Sequence, residues 1–266
     1  ADAAIDVVHV IYEGFVDLSV HEVEASQELK IFAMQAAESY LEELVDPFRT
    51  RVRSLTSSTI WHKDSWQGVL SAAHACDADL ILKASSATDD PGSISRTPQD
   101  WNLLRHATVP VMLIKPDAWV PNPIIFAAVD AVNADQHDLN IKILKEAASL
   151  ATILGGELDI VTAVPLSEPW SEPVPGLDTS AVRKQVEEVV RMRITDLNDE
   201  AGISYRNLHV EDGKAAMAIR SRADQSGAEI LVMGTVARSG VTGVVLGNTS
   251  EMIVHHCHSD VVVLRQ

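Results

Sequence analysis

The feature that most constrains this chain is an internal repeat. Residues 71–115 lie over residues 221–265 at a constant offset of 150, with no gap. Ala78-Asp-Leu-Ile-Leu-Lys-Ala84 falls on Ala228-Glu-Ile-Leu-Val-Met-Gly234, and Val111-Met-Leu-Ile-Lys115 falls on Val261-Val-Val-Leu-Arg265. Identity is confined to six positions (Ser71, Ala73, Ala78, Ala87, His106 and Val111), so the register rests on the matching order of apolar runs. A repeat of this length is a whole domain, and 266 residues accommodate two.

The second half reads as alternating β and α. Short apolar runs at 124–129, 158–164, 205–210, 230–233 and 261–264 predict strands, separated by helices over 137–154, 180–201, 214–225 and 250–256. Gly155-Gly156 stops the first of these helices. Strands of this length between longer helices indicate a parallel sheet covered on both faces. The first half repeats the pattern but starts late, with a strand at 5–12, a helix at 24–44 and a strand at 52–61. Leu29, Phe32, Ala36, Tyr40 and Leu44 form one apolar stripe on that helix, expected to face the core. The first β and α elements of the first copy have no counterpart, and a sheet without an inner strand leaves backbone unpaired; the expectation is a sequence incomplete at its start. The predicted organisation is a first domain over 1–116, a linker over 117–123 rich in proline, and a second domain over 124–266. The last strands of the two halves, 111–114 and 261–264, are expected side by side and antiparallel, because as sheet edges they would expose unpaired backbone.

Composition narrows the function. Lys and Arg total 21 against 38 Asp and Glu, a net charge of −17, which repels a phosphate backbone and excludes general nucleic-acid binding. No apolar run is long enough to span a membrane. Cys76 and Cys257 alone cannot build a disulfide scaffold or a cysteine-based zinc cluster. No charged segment followed by an apolar stretch opens the sequence, so a cytoplasmic location is expected. No G-x-S-x-G elbow, H-E-x-x-H or P-loop lysine is present, and the reading is a binding module without catalytic residues. His255, His256 and His258 invite a metal reading, but a histidine at a helix C-terminus explains His256 and its repeat His106. Trp61, Trp66 and Trp101 read as core or interface filling.

The loop after the second half's fourth strand runs Gly234-Thr-Val-Ala237-Arg238-Ser239-Gly240, then Gly247-Asn248-Thr249. This resembles the nucleotide loop of universal stress proteins, G-x-x-G, nine residues, G-[S/T]. Ala237 stands in place of the second glycine and Asn248 in place of the Ser/Thr. Trp61-His62, the string Thr97-Pro-Gln-Asp-Trp-Asn-Leu-Leu-Arg105 and Gly247-Asn-Thr249 resemble the tandem, E-type branch of that family over nearly the whole chain. The resemblance implies two α/β sandwiches, each a parallel five-stranded sheet with helices on both faces, packed as an intramolecular pseudo-dimer through their last strands; chains could further pair as a homodimer. It also implies a stress-response role and an adenine nucleotide, ATP with Mg²⁺, in the second half. Asp130 would contact the nucleoside, Ala163 and Met233 would line the base, and Gly234, Ala237, Gly247, Asn248 and Thr249 would offer backbone groups to phosphates.

Glycines suit such a loop because a Cβ obstructs the approach of phosphate to backbone N–H groups, and a following helix N-terminus adds partial positive charge. A tight connection that holds nothing is the competing explanation. Arg238 either neutralises phosphate or is a solvated surface residue. Ala237 costs ~1–2 kcal/mol if its position is left-handed, whereas Asn248 is a milder change because Asn caps helices well. In the first half, Ala84, Ala87 and Thr97 replace the glycines and Asp89, Asp90 and Asp100 bring carboxylates, so no triphosphate is expected there. Two other functions remain open from the sequence: slow ATP hydrolysis at the same loop, and a nucleotide-free scaffold for a protein or an apolar small molecule.

Overall fold

The computed structural model describes residues 3–14, 23–84, 86–87, 94–95, 98–165, 179–235 and 248–266. Its Cα packing divides the chain into two compact units that do not coincide with the two sequence halves. One comprises Ala1–Ala78 and Pro98–Leu103; the other comprises Asp79–Thr97 and Leu104–Gln266.

In the first unit, β1 (Ala4–Ile11) and β2 (Ser54–Trp61) form a parallel pair. Helix α1 (Val23–Val45) packs on both strands and α2 (Ser65–Ala75) on β1. Gly68 lets α2 approach closely, since a Cβ there would sit 2.8 Å from both γ-carbons of Val10. The stripe of Leu29, Phe32, Ala36, Tyr40 and Leu44 does not face this core. All five are exposed, and α1 buries Leu41 and Val45 instead, with Ala33, Met34 and Ala37 half-buried. Helical spacing identifies apolar stripes but not which one the sheet receives, and two strands are too narrow to cover both.

The second unit is built on a seven-stranded sheet in the order β3-β6-β11-β10-β7-β8-β9. Its strands are β3 (Ile81–Ala84), β6 (Val111–Ile114), β7 (Ile124–Ala128), β8 (Glu157–Val164), β9 (Asn207–Asp212), β10 (Ala228–Thr235) and β11 (Asp260–Arg265). A separate antiparallel pair, β4 (Ser86–Ala87) with β5 (Ile94–Ser95), falls where the sequence reading placed only loop. The second half forms five parallel strands, and the first half's β3 and β6 extend that sheet, while β1 and β2 pair with each other. The joint is the expected one: β6 and β11 are antiparallel, with Val111, Met112 and Leu113 opposite Val263, Val262 and Val261.

The helices of this unit follow from period and caps. Helix α4 (His137–Leu154) buries Leu139, Ile143, Leu144, Ala147, Leu150 and Ala151 on one stripe. It ends because Gly155 adopts φ +63°, and Gly156 follows because a Cβ would lie 2.2 Å from the Pro123 carbonyl oxygen. Helix α5 (Thr179–Ala201) adds Val190, Ile194 and Leu197 to the same core. The opposite sheet face carries α6 (Ala215–Ser226) and α7 (Asn248–His256), which pack against each other. Helix α3 (Pro98–His106), of which Pro98–Leu103 belong to the first unit, begins at a proline, whose missing N–H costs no intrahelical bond at that position. Central strands read as continuous apolar runs because both faces are covered; Ile125, Phe126 and Ala127 are fully buried, each large side chain stabilising by ~1.5–3 kcal/mol. Among the described residues no helix is long and apolar enough to cross a membrane.

Two buried carboxylates lock this unit. Asp260 accepts from the Lys115 backbone N–H (2.9 Å) and from Trp119 Nε1 (2.7 Å), fastening the segment between the halves to β11. Asp159 accepts a bidentate pair from Arg206 (2.9 Å each) and a third bond from His209 Nε2 (2.9 Å), the His209 ring stacking on Phe126. Burial pushes the Asp159 pKa up, but the hydrogen bonds from Arg206, His209 and Asn207, with the guanidinium charge, together hold it below the usual carboxylate value.

Candidate functional site

The strand order creates one topological switch. From β7 the chain moves to β8 and β9 on one side; β10 and β11 lie on the other. The carboxyl ends of β7 and β10 are therefore neighbours from which the connections diverge, and open α/β sheets bind ligands in the crevice outside such a point. Asp130 follows β7 there, and Gly234 and Thr235 end β10.

Asp130 is exposed, and its loop is fixed from both directions. Its backbone N–H donates to Asn140 Oδ1 (3.0 Å) and its carbonyl accepts from Asn140 Nδ2 (2.8 Å). Oδ1 of its carboxylate accepts from the backbone N–H groups of Val132 (3.2 Å) and Asn133 (3.1 Å). Arg193 reaches across from α5 to the carbonyls of Ala131 and Val132, 3.1 Å each. Asn140 and Arg193 were not singled out in the sequence; both sit on helices whose apolar period conceals a polar residue serving a distant loop.

Met233 is buried and stands opposite Ala128 on β7 and Val263 on β11; Ala128 in turn faces Val161 on β8. Ile230 and Val232 belong to the core beneath α4, so alternation sends Met233 to the other face, and Ala163 shares that face with Val161. The expected base-lining pair thus lies on one sheet face near the strand ends.

Gly234, expected to offer its backbone to phosphate, also has a packing contact. A Cβ there would meet Leu139 Cδ2 at 2.5 Å, Leu139 Cγ at 2.8 Å and Ile143 Cδ1 at 3.0 Å. It is a packing glycine that seats α4 on β10. Its carbonyl accepts from Ser250 Oγ (3.2 Å), which ties the first turn of α7 to the strand end. Thr249 is exposed in that first turn, and Asn248 opens the helix. Ala237, Arg238 and Gly247 lie outside the described residues, as do Asp89, Asp90 and Thr97 of the first-half loop. Asp100 is buried in α3 rather than presented to a ligand. Of the histidine run, His258 Nδ1 lies 3.0 Å from Asp224, and Cys257 is buried, which pushes its thiol pKa up.

A five-stranded parallel order with helices on both faces defines an α/β sandwich. Residues 126–265 match the model of the universal stress protein family, and the chain belongs to that family. It is 27% identical over 237 residues to universal stress protein E of Photorhabdus laumondii, covering 87% of this chain and 73% of that one. It is 28% identical over 210 residues to universal stress protein E of Escherichia coli K12, covering 77% of this chain; it spans 66% of that relative's length. A crystal structure of a universal stress protein from Pseudomonas aeruginosa UCBPP-PA14 is similar with a TM-score of 0.70 and 26% identity, over 99% of this chain and 94% of that one. The E-type likeness seen in the sequence is borne out by these relatives.

Proposed function

We propose that the chain is a tandem, cytoplasmic stress-response regulator, with halves 1–116 and 124–266 joined by 117–123, which binds one adenine nucleotide per chain without turning it over. The nucleotide, ATP with Mg²⁺, sits at the switch point of the second half. The observation that carries this reading is the convergence of Asp130, after β7, with the end of β10 at a place in the sheet order where connections diverge. Ala163 and Met233 supply an apolar face for the base. Thr249 and Asn248 stand at a helix start suited to phosphate, and Ala237, Arg238 and Gly247 complete the loop. The negative charge of the whole chain keeps the ligand to a single small anion with a metal ion rather than a polynucleotide.

Titration calorimetry with ATP and Mg²⁺ tests it. One site per chain is expected. Ala237→Gly should tighten binding by ~1–2 kcal/mol if that position is left-handed, roughly a five- to thirtyfold gain. Two equivalent sites, or no binding by the Ala237→Gly, Asn248→Ser double variant, would overturn the reading in favour of a nucleotide-free scaffold.

A further inference from the structure

Of the six methionines, Met112 and Met233 are buried and Met34 is half-buried, whereas Met192, Met217 and Met252 are exposed. Methionine ordinarily fills gaps in a core, and its thioether is soft and polarizable. Two of the three exposed methionines meet. Met217 and Met252 line one groove of about 290 Å³ between α6 and α7, together with His256, Arg220, Ser221 and Asp224.

The helices fix this arrangement. α7 turns Ile253, Val254 and Cys257 inward, all of them buried. Met252 and His256, four residues apart and so on one face, are left beside α6. α6 buries Ala216, Ile219 and Ala223, and gives the groove Met217 one turn ahead of Arg220 and Ser221. Both ends of α7 are tied to the sheet. Ser250 Oγ donates to the Gly234 carbonyl (3.2 Å) in the first turn, and Ser259 Oγ donates to the Ala228 carbonyl (2.6 Å) just past the last.

The donor set decides what such a groove can hold. It offers two thioether sulfurs and one imidazole. Its carboxylate is engaged, because Asp224 lies 3.5 Å from Arg220 Nε and 3.0 Å from His258 Nδ1. Hard divalent cations need oxygen donors, and among the described residues no three His, Cys, Asp or Glu side chains gather to hold a metal ion. Thioether sulfur selects Cu(I), and imidazole suits copper as well. Asp224 offsets the Arg220 guanidinium, and the net charge of −17 draws a cation to the chain. The repeat makes the donor set single: at the offset of 150, His256 falls on His106, but Met217 and Met252 fall on Gln67 and Asn102, which carry no sulfur.

We propose that the groove between α6 and α7 is a Cu(I) site, with Met217 Sδ, Met252 Sδ and the His256 imidazole as ligands. None of these residues belongs to the proposed nucleotide site, so the copper site stands or falls separately from it.

Anaerobic competition for Cu(I) against the chelator bathocuproine disulfonate tests the proposal. The Cys76→Ser chain is used, because the exposed Cys76 thiol would bind the ion itself. One Cu(I) per chain is expected. Met217→Leu and Met252→Leu keep the side-chain volume but remove the sulfur, and each should weaken binding by ~10-fold or more, as should His256→Gln. Met192→Leu, on α5, should leave the affinity unchanged. Thermal unfolding of the metal-free leucine variants should match the parent, because both side chains are exposed, so lost affinity is not lost folding. X-ray absorption at the copper edge should show sulfur and nitrogen neighbours, with less sulfur in either leucine variant. No binding by the Cys76→Ser chain, or affinity indifferent to Met217→Leu and Met252→Leu, overturns the proposal. An equal loss from Met192→Leu also refutes it, since exposed thioethers would then be capturing the ion without a defined site.

Discussion

Gly234 separates a packing role from a ligand role, and a double-mutant cycle measures which one it has. In Gly234→Ala the new methyl would lie 2.5–2.8 Å from Leu139 and 3.0 Å from Ile143. Leu139 and Ile143 are both buried in the middle of the core, so neither can swing aside freely. Overpacking of this kind costs ~1–3 kcal/mol, and for a domain of 150–250 residues each kcal/mol lowers Tm by about 2–4 °C. Leu139→Ala alone removes buried methyl groups and should cost ~2–5 kcal/mol. In the double variant the added methyl enters the space that Leu139 vacates. The double loss should therefore fall short of the sum of the single losses by at least ~1 kcal/mol, the mark of residues in contact. Urea unfolding followed by circular dichroism supplies the four free energies, and ATP titration is run on the same samples. Unchanged stability of Gly234→Ala with loss of ATP binding would refute the packing argument and return Gly234 to the phosphate loop. Additive losses would show that the two side chains do not meet.

Three further outcomes are expected. Asp159 has a folded pKa below its unfolded value of about 3.9; its stabilisation is therefore present above about pH 4 and lost as pH falls through the lower folded value. Asp159→Asn should cost ~1–3 kcal/mol at pH 7, and the gap from wild type should close on acidification; a gap independent of pH would rule out the linkage. Trp119→Phe deletes the 2.7 Å bond to Asp260 and should lower stability by ~1–3 kcal/mol in urea unfolding, and no change would mean that the bond does not hold the inter-half segment. Val262→Arg puts a charge in a fully buried position opposite Met112, and the unit should fail its cooperative transition in calorimetry; a retained transition would argue against the β6–β11 joint as part of the core.

Much of the second half was legible because its local signals agree. The α4 stripe has the helical period, Gly155 stops it, and β7, β10 and β11 are apolar runs too short for helices. The site was legible only in outline. Asp130 and Met233 could be placed from the order of elements, but the packing contact of Gly234 could not, because a glycine that admits a phosphate and one that admits a leucine look alike in a sequence. Asn140, Arg193 and Ser250 act over 10, 62 and 16 residues, and no local pattern records such partners. The hairpin of Ser86–Ala87 with Ile94–Ser95 was missed because two-residue strands have no period.

The amino-acid sequence by itself determined that the chain carries a repeated β/α architecture, that the two terminal strands of the repeat are apolar enough to need each other, and that its net charge is strongly negative. Those properties are set by local spacing and total charge. Tertiary structure decided which copy owns the sheet. β3 and β6 joined the second half through the antiparallel β6–β11 pair, where buried backbone groups are paired, while β1 and β2 closed on α1 and α2. It also decided which stripe of α1 is buried. Leu41 and Val45 won over Leu29, Phe32, Tyr40 and Leu44 because a helix can give a two-stranded sheet only one face, and which face depends on neighbours far away in sequence.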